Sequence, residues 1–260
     1  MTLLVVLVGL LGLAVGSFLN VVVWRVPRGE SVVSPPSACP RCGHRIRARD
    51  NVPVLGWVLL RGRCRDCGEP IAVRYPLVEA GTGIAFALVA WGVGVSWALP
   101  ALLYLAAISV ALALIDLDTH RLPDAIVLPS YVVGAVLLGL AAWNPGGDPD
   151  AAGFVRALVG GAVLFAVYFL LLVVYPAGMG FGDVKLAGVL GLYLGWAGWA
   201  SLVVGWFAAF LLGGLFAVGL LVAGRAGRKT SVPFGPWMLA GAWIGLVAGD
   251  AVWDWYRTLL

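Results

Sequence analysis

Long apolar stretches alternate with short polar ones along most of the chain. Apolar runs occupy about residues 3–24, 76–95, 98–118, 124–143, 153–175, 183–198, 200–224 and 234–256. A helix needs about 20 apolar residues to cross the roughly 30 Å hydrocarbon core of a bilayer, so this pattern predicts an all-α polytopic membrane protein with about eight transmembrane helices. The apolar run from Leu186 to Gly224 is too long for one span, and Gly195-Trp196-Ala197-Gly198 is where it is expected to turn. Residues 25–75 break the pattern: they are polar and Arg-rich, with prolines at 27, 35, 36, 40, 53 and 70. The expected plan is a first helix over 1–24, a small insert over 25–75 and a seven-helix membrane domain over 76–260.

Composition agrees. Of 260 residues, 62% are hydrophobic and 12% charged, more apolar surface than one soluble core can hide, so the partner of these helices is a lipid bilayer. The net charge of +4 does not point to nucleic acid, because ten of the seventeen basic residues lie between Arg25 and Arg74. With the N-terminus outside, the cytoplasmic loops collect those ten plus Arg121, Lys185, Arg225, Arg228 and Lys229, leaving only Arg156 and Arg257 outside. That asymmetry follows the positive-inside rule and predicts a cytoplasmic insert. No basic residue precedes the first apolar core and Arg25 and Arg28 follow it, so the segment reads as a retained span and not as a cleaved signal peptide.

The insert holds all four cysteines, as Cys39-Pro40-Arg41-Cys42 and Cys64-Arg65-Asp66-Cys67. Two CxxC pairs resemble a zinc ribbon, since each pair offers two thiolates from a tight turn and two turns complete a tetrahedron. Two disulfides or four ordinary thiols are the alternatives, and a reducing cytoplasm disfavours the first. Four sulfur ligands leave no position open for water, which predicts a structural metal. His44 reads as a surface histidine.

Polar groups inside the apolar runs are few. Asn20, in Gly16-Ser17-Phe18-Leu19-Asn20, reads as a packing residue able to hydrogen-bond across a helix interface. Glu79, one turn inside the second run, is either a first-turn carboxylate or a polar group facing an internal cavity. The third run ends in Asp116, Asp118 and His120 before Pro123 and Asp124. Asp116 and Asp118 are two apart and cannot share a helix face, whereas Asp124 and His120 read as turn or cap residues. Asp183 opens the sixth run after Gly178, Gly180 and Gly182. It reads either as a helix N-cap or as a carboxylate beside space that the glycines leave free. Counting spans puts Asp116 and Asp183 at the same membrane face. Two carboxylates brought together share a proton, so one can act as base while the other acts as acid. Pro233-Phe234-Gly235-Pro236 predicts irregular backbone before the last run. No fixed-period repeat, Walker loop, dinucleotide fingerprint or Gly-x-Ser-x-Gly elbow occurs.

Together, Asp116 seven positions before Pro123, Gly180-Phe181-Gly182-Asp183 with Lys185 and Leu186, the two CxxC pairs and Arg74-Tyr75-Pro76-Leu77-Val78-Glu79 resemble the type IV prepilin peptidases over nearly the whole chain. Gly16 to Asn20, Asn51-Val52-Pro53, Arg61-Gly62-Arg63-Cys64 and Pro233 to Pro236 extend the resemblance. It implies an inner-membrane aspartic endopeptidase that removes the leader of prepilin or pseudopilin precursors on the cytoplasmic side. Many members with this insert also methylate the new N-terminus from S-adenosylmethionine. By position, the family's catalytic pair falls on Asp116 and Asp183; the metal reading of Cys39, Cys42, Cys64 and Cys67 rests on the two CxxC pairs themselves. Gly56 departs from the Ser that relatives commonly carry. The competing class is a polytopic transporter with a zinc-binding cytoplasmic module, which would need acids spread through the bilayer; the outer halves of these runs carry almost none.

Overall fold

The computed structural model describes residues 1–176, 178–224 and 232–259. Its regular elements are helices: α1 (Thr2–Arg25), α2 (Leu55–Leu59), α3 (Arg74–Val93), α4 (Leu99–Thr119), α5 (Asp124–Trp143), α6 (Ala151–Val174), α7 (Phe181–Ala197), α8 (Trp199–Val222) and α9 (Gly235–Arg257). Among the described residues the only β pairings are two isolated bridges, Ala38 with Arg45 and Arg63 with Pro70. Arg225, Arg228 and Lys229, expected in a cytoplasmic turn, lie outside the described residues.

All the helices but α2 follow the eight apolar runs. Six of them, α1, α3, α4, α5, α6 and α8, are long and apolar enough to cross a membrane. The other two fall short of that description for different reasons. α7 has 17 residues, about 25 Å of helix, and α9 is the least apolar of the long helices. The long run divides at Gly198, the last residue of the expected turn, since α7 ends at Ala197 and α8 begins at Trp199. Arg156 of α6 explains a basic residue far from the others. Its Nε and Nη2 donate to Gly195 O and Trp196 O at 2.8 and 2.9 Å, satisfying carbonyls that the end of α7 leaves open.

The chain forms two compact units, Met1–Ala111 and Leu112–Leu260. In the first, α1 lies along α3. Their backbones come close at Gly16, where a Cβ would stand 2.8 Å from Glu79 Cα. Asn20 bridges the same pair of helices, its Nδ2 donating to Tyr75 O at 3.2 Å, as its position in an oily helix suggests.

The second unit is built around α7, which α5, α6, α8 and α9 contact. Every residue from Leu186 to Gly195 is buried, as expected of a helix apolar on all sides. In lipid the hydrophobic effect does not drive helices together, so close van der Waals packing must. Small residues supply it: a Cβ at Gly160 would lie 2.6 Å from Gly191 O, so α6 and α7 touch backbone to backbone. α5 is tied to α7 by a hydrogen bond, Tyr131 Oη donating to Lys185 O at 2.6 Å.

Candidate active site and metal-binding module

At one end of the second unit, the last turn of α4 and the first turns of α7 and α9 converge. Asp116, on α4, is 5% exposed. The N–H of Gly235, the first residue of α9, donates to its Oδ2 at 3.0 Å. A side chain at Gly235 would crowd that oxygen, since a Cβ there would stand 2.8 Å from it. Of the irregular backbone expected over Pro233 to Pro236, only Pro233 and Phe234 are non-helical; Gly235 and Pro236 already belong to α9, whose first N–H meets the carboxylate.

Asp183 is the third residue of α7, and the N-cap is Gly180. The N-cap reading of Asp183 is therefore corrected: its Oδ2 reaches back to accept from Gly180 N–H at 2.9 Å, while its own N–H donates to Gly180 O at 3.1 Å. Glycine suits the preceding position 182 because a Cβ there would press on Leu122, 3.1 Å from its Cβ. The same leucine would lie 3.3 Å from a Cβ at Gly235. One side chain thus abuts both the residue before Asp183 and the residue bonded to Asp116.

The other acids separate from this pair. Asp118 is exposed. Asp124 opens α5 and forms an ion pair with Lys185 on α7. The Lys185 ammonium also stands 5.2 Å from the centroid of the Phe181 ring. That pair, with Tyr131, fixes the start of α7 and hence Asp183, a role beyond the turn or cap residue that the sequence suggests for Asp124.

In the first unit the four cysteines come together, their sulfurs within 4.8 Å of one another. Cys39 and Cys67 Sγ are 3.8 Å apart. A tetrahedral metal with bonds of about 2.3 Å requires sulfur–sulfur edges of about 3.8 Å, the length of the Cys39–Cys67 edge, so the four sulfurs are gathered as such an ion would need. The cysteines are not disulfide-bonded, and His44 stays outside the cluster, 3.9 Å from Asp66. Both pairs are built alike. Cys39 and Cys64 O accept from Gly43 and Gly68 N–H, each at 2.9 Å, and both glycines have positive φ. Backbone N–H groups of Cys42 and Arg41 pull the Cys39 thiol down to about 7, whereas burial and the neighbouring thiols push Cys67 up to about 12. Asp50, beside the cluster, is held below the usual carboxylate range by the Arg65 guanidinium.

The remaining motifs also find places. Glu79 is buried at the wall of a cavity in the first unit, so the cavity-facing reading holds. Gly56 has its own cause: a Cβ there would collide with the carbonyl of Asp50.

The family model described as the bacterial peptidase A24 N-terminal domain matches residues 10–93, and that of the type IV leader peptidase family matches residues 103–218. A prepilin leader peptidase/N-methyltransferase of Pseudomonas putida is 40% identical, over 96% of this chain and 92% of that protein. Proteins of the same name from Aeromonas salmonicida (strain A449) and Neisseria gonorrhoeae are 36% and 37% identical, over 98% and 97% of this chain and 94% of each relative. No solved structure matches. The matches give the transporter alternative no support. This chain belongs to the prepilin leader peptidase/N-methyltransferase family, and it is a multi-pass membrane protein.

Proposed function

We propose that this protein is an aspartic endopeptidase that cleaves the leader peptide of type IV prepilins or pseudopilins, and that it then N-methylates the new N-terminus. The observation that carries the peptidase reading is the convergence of Asp116 and Asp183 at one end of the unit, each with one oxygen held by a backbone N–H. In the proposed reaction the ionised carboxylate takes a proton from water as that water attacks the scissile carbonyl. The protonated partner donates to the carbonyl oxygen, and no metal or covalent intermediate is needed. Membranes containing this protein should convert a candidate prepilin to a product lacking its leader. With S-adenosylmethionine present, the product should gain the mass of one methyl group, read by mass spectrometry, and the precursor should gain none. An intact prepilin after prolonged incubation would remove the peptidase assignment; cleaved but unmethylated pilin would remove the second activity alone.

The module at 25–75 is proposed to hold one structural zinc through Cys39, Cys42, Cys64 and Cys67, while helices from residue 76 onward carry the proteolysis. The location proposed is the bacterial inner membrane, with the N-terminus outside and the module in the cytoplasm. Ten basic residues in and beside the module support that orientation. It places the loop around Gly147 outside. A membrane-impermeant thiol reagent applied to intact cells should therefore label Gly147→Cys and miss Cys39 to Cys67, and the opposite pattern would reverse the sides.

A further inference from the structure

The first unit contains a cavity of about 580 Å³, bounded by the end of α1, the cysteine module and the start of α3. That volume suits a ligand of cofactor size. Most acids on its wall are already neutralised. Asp50 accepts from Arg65 Nε and Nη2 at 2.8 and 2.6 Å, Asp66 pairs with Arg47, and Glu69 pairs with Arg41. Glu79 differs. It is buried, and among the described residues its carboxylate has a single bond, from Val54 N–H to Oε2 at 2.6 Å, and no cation.

The Val54 N–H is aimed at Glu79 by unusual backbone. Val54 has φ 63° and ψ −53°, and Leu55 N–H donates across it to Pro53 O at 2.6 Å. This is the rare positive-φ γ-turn, a strained conformation, and strained further by a β-branched side chain. Such strain persists where the surrounding structure enforces it, and it gathers at ligand clamps. Beside it, Trp57 is fixed by its Nε1 donating to Ile71 O at 3.0 Å, and its ring packs on Gly62, giving the cavity a rigid aromatic wall.

A buried carboxylate with no protein cation is stabilised by a cationic ligand. We propose that this cavity binds S-adenosylmethionine, with the Glu79 carboxylate as the anionic contact for its positively charged methionine end and Trp57 as the wall for its adenine. This rests on the N-methyltransferase reading above. The donor supplies a methyl group: a neutral amine displaces a neutral thioether, the sulfur–carbon bond breaking as the nitrogen–carbon bond forms, and the positive charge passes from sulfur to nitrogen. Glu79 holds the charge before transfer, so its removal weakens binding even without pilin.

The test is equilibrium binding of radiolabelled S-adenosylmethionine to the full-length, metal-loaded protein in detergent, with no pilin present. Wild type should bind one molecule per chain saturably. Glu79→Gln, with wild-type zinc content, should lose about tenfold or more in affinity, the scale of one charge-assisted contact. It should lose less for S-adenosylhomocysteine, whose sulfur is uncharged. In the wild type, S-adenosylmethionine should slow amide hydrogen exchange over residues 50–57 and 75–82, a readout that does not depend on the variant folding. Unchanged affinity in Glu79→Gln, or protection confined to residues 112–260, would overturn the site while leaving methyl transfer standing. A wild type that binds no S-adenosylmethionine yet methylates cleaved pilin would overturn the site alone, whereas one that neither binds nor methylates would remove the N-methyltransferase reading with it.

Discussion

Asp183→Asn protein, inserted in membranes at the wild-type level, is expected to cleave prepilin about 10²- to 10⁴-fold more slowly, and Asp116→Asn equally so, because general acid–base catalysis contributes on that scale. Asparagine keeps the shape of each site. Its Oδ1 can still accept from Gly235 N–H at position 116 or from Gly180 N–H at position 183, so the loss reports on the missing proton chemistry. In the proposed dyad each acid needs the other, so the double variant should be no slower than either single one. Asp118→Asn should be mild, since Asp118 is exposed. Asp124→Asn should fall between, because it loosens the Lys185 ion pair that steadies α7 without touching the reacting groups. Cleavage should also decline at high pH as both dyad carboxylates ionise. The measurement is the rate of leader removal per quantified enzyme. A well-inserted Asp183→Asn or Asp116→Asn protein with the wild-type rate would reject that residue, and a dead Asp118→Asn beside an active Asp116→Asn would move the dyad along α4.

Much of this architecture is written in local pattern, which is why it can be read from the chain. Hydropathy marks the helices because backbone in lipid must satisfy itself within each segment. The cysteine spacing marks the module because chelation is local. Hydropathy is silent about what surrounds a helix: α7 is apolar on every face, and lipid or protein could have covered it equally. Only its glycines at 188, 191 and 195 hint that protein does. The contacts that make the site work join distant positions. Gly235 and Asp116 are separated by 119 residues, Lys185 and Asp124 by 61, and no periodicity connects either pair. The clamp on Glu79 is hidden differently, since a valine at positive φ is a conformation that sequence preference argues against. One available signal lay unused: each CxxC is followed by glycine, Gly43 and Gly68, both at positive φ, which marks the two pairs as the same turn built twice.

Metal removal should have the second large effect, and it should fall on the module. Residues 25–75 bury only Cys39, Gly56 and Gly62. A segment of that length with no apolar core cannot offset the entropy of ordering its chain, so another interaction must hold it. Surface ion pairs such as Arg41 with Glu69 and Arg47 with Asp66 contribute at most about 1 kcal/mol each. Structural zinc in small domains contributes about 10–16 kcal/mol of apparent binding free energy near neutral pH, which is folding free energy where no site exists beforehand. Purified protein is therefore expected to carry about one zinc per chain. Chelation, or Cys39→Ser combined with Cys64→Ser, should abolish that metal and open residues 25–75 to limited proteolysis. Prepilin cleavage should survive better than the module, since Asp116 and Asp183 lie outside it. S-adenosylmethionine binding should go with the metal, because the cavity wall includes Cys39, Cys64 and Trp57. Metal analysis with proteolytic mapping decides the matter: a metal-free wild type whose module still resists protease would mean that the four sulfurs, though placed for a tetrahedral ion, are not what holds this segment together.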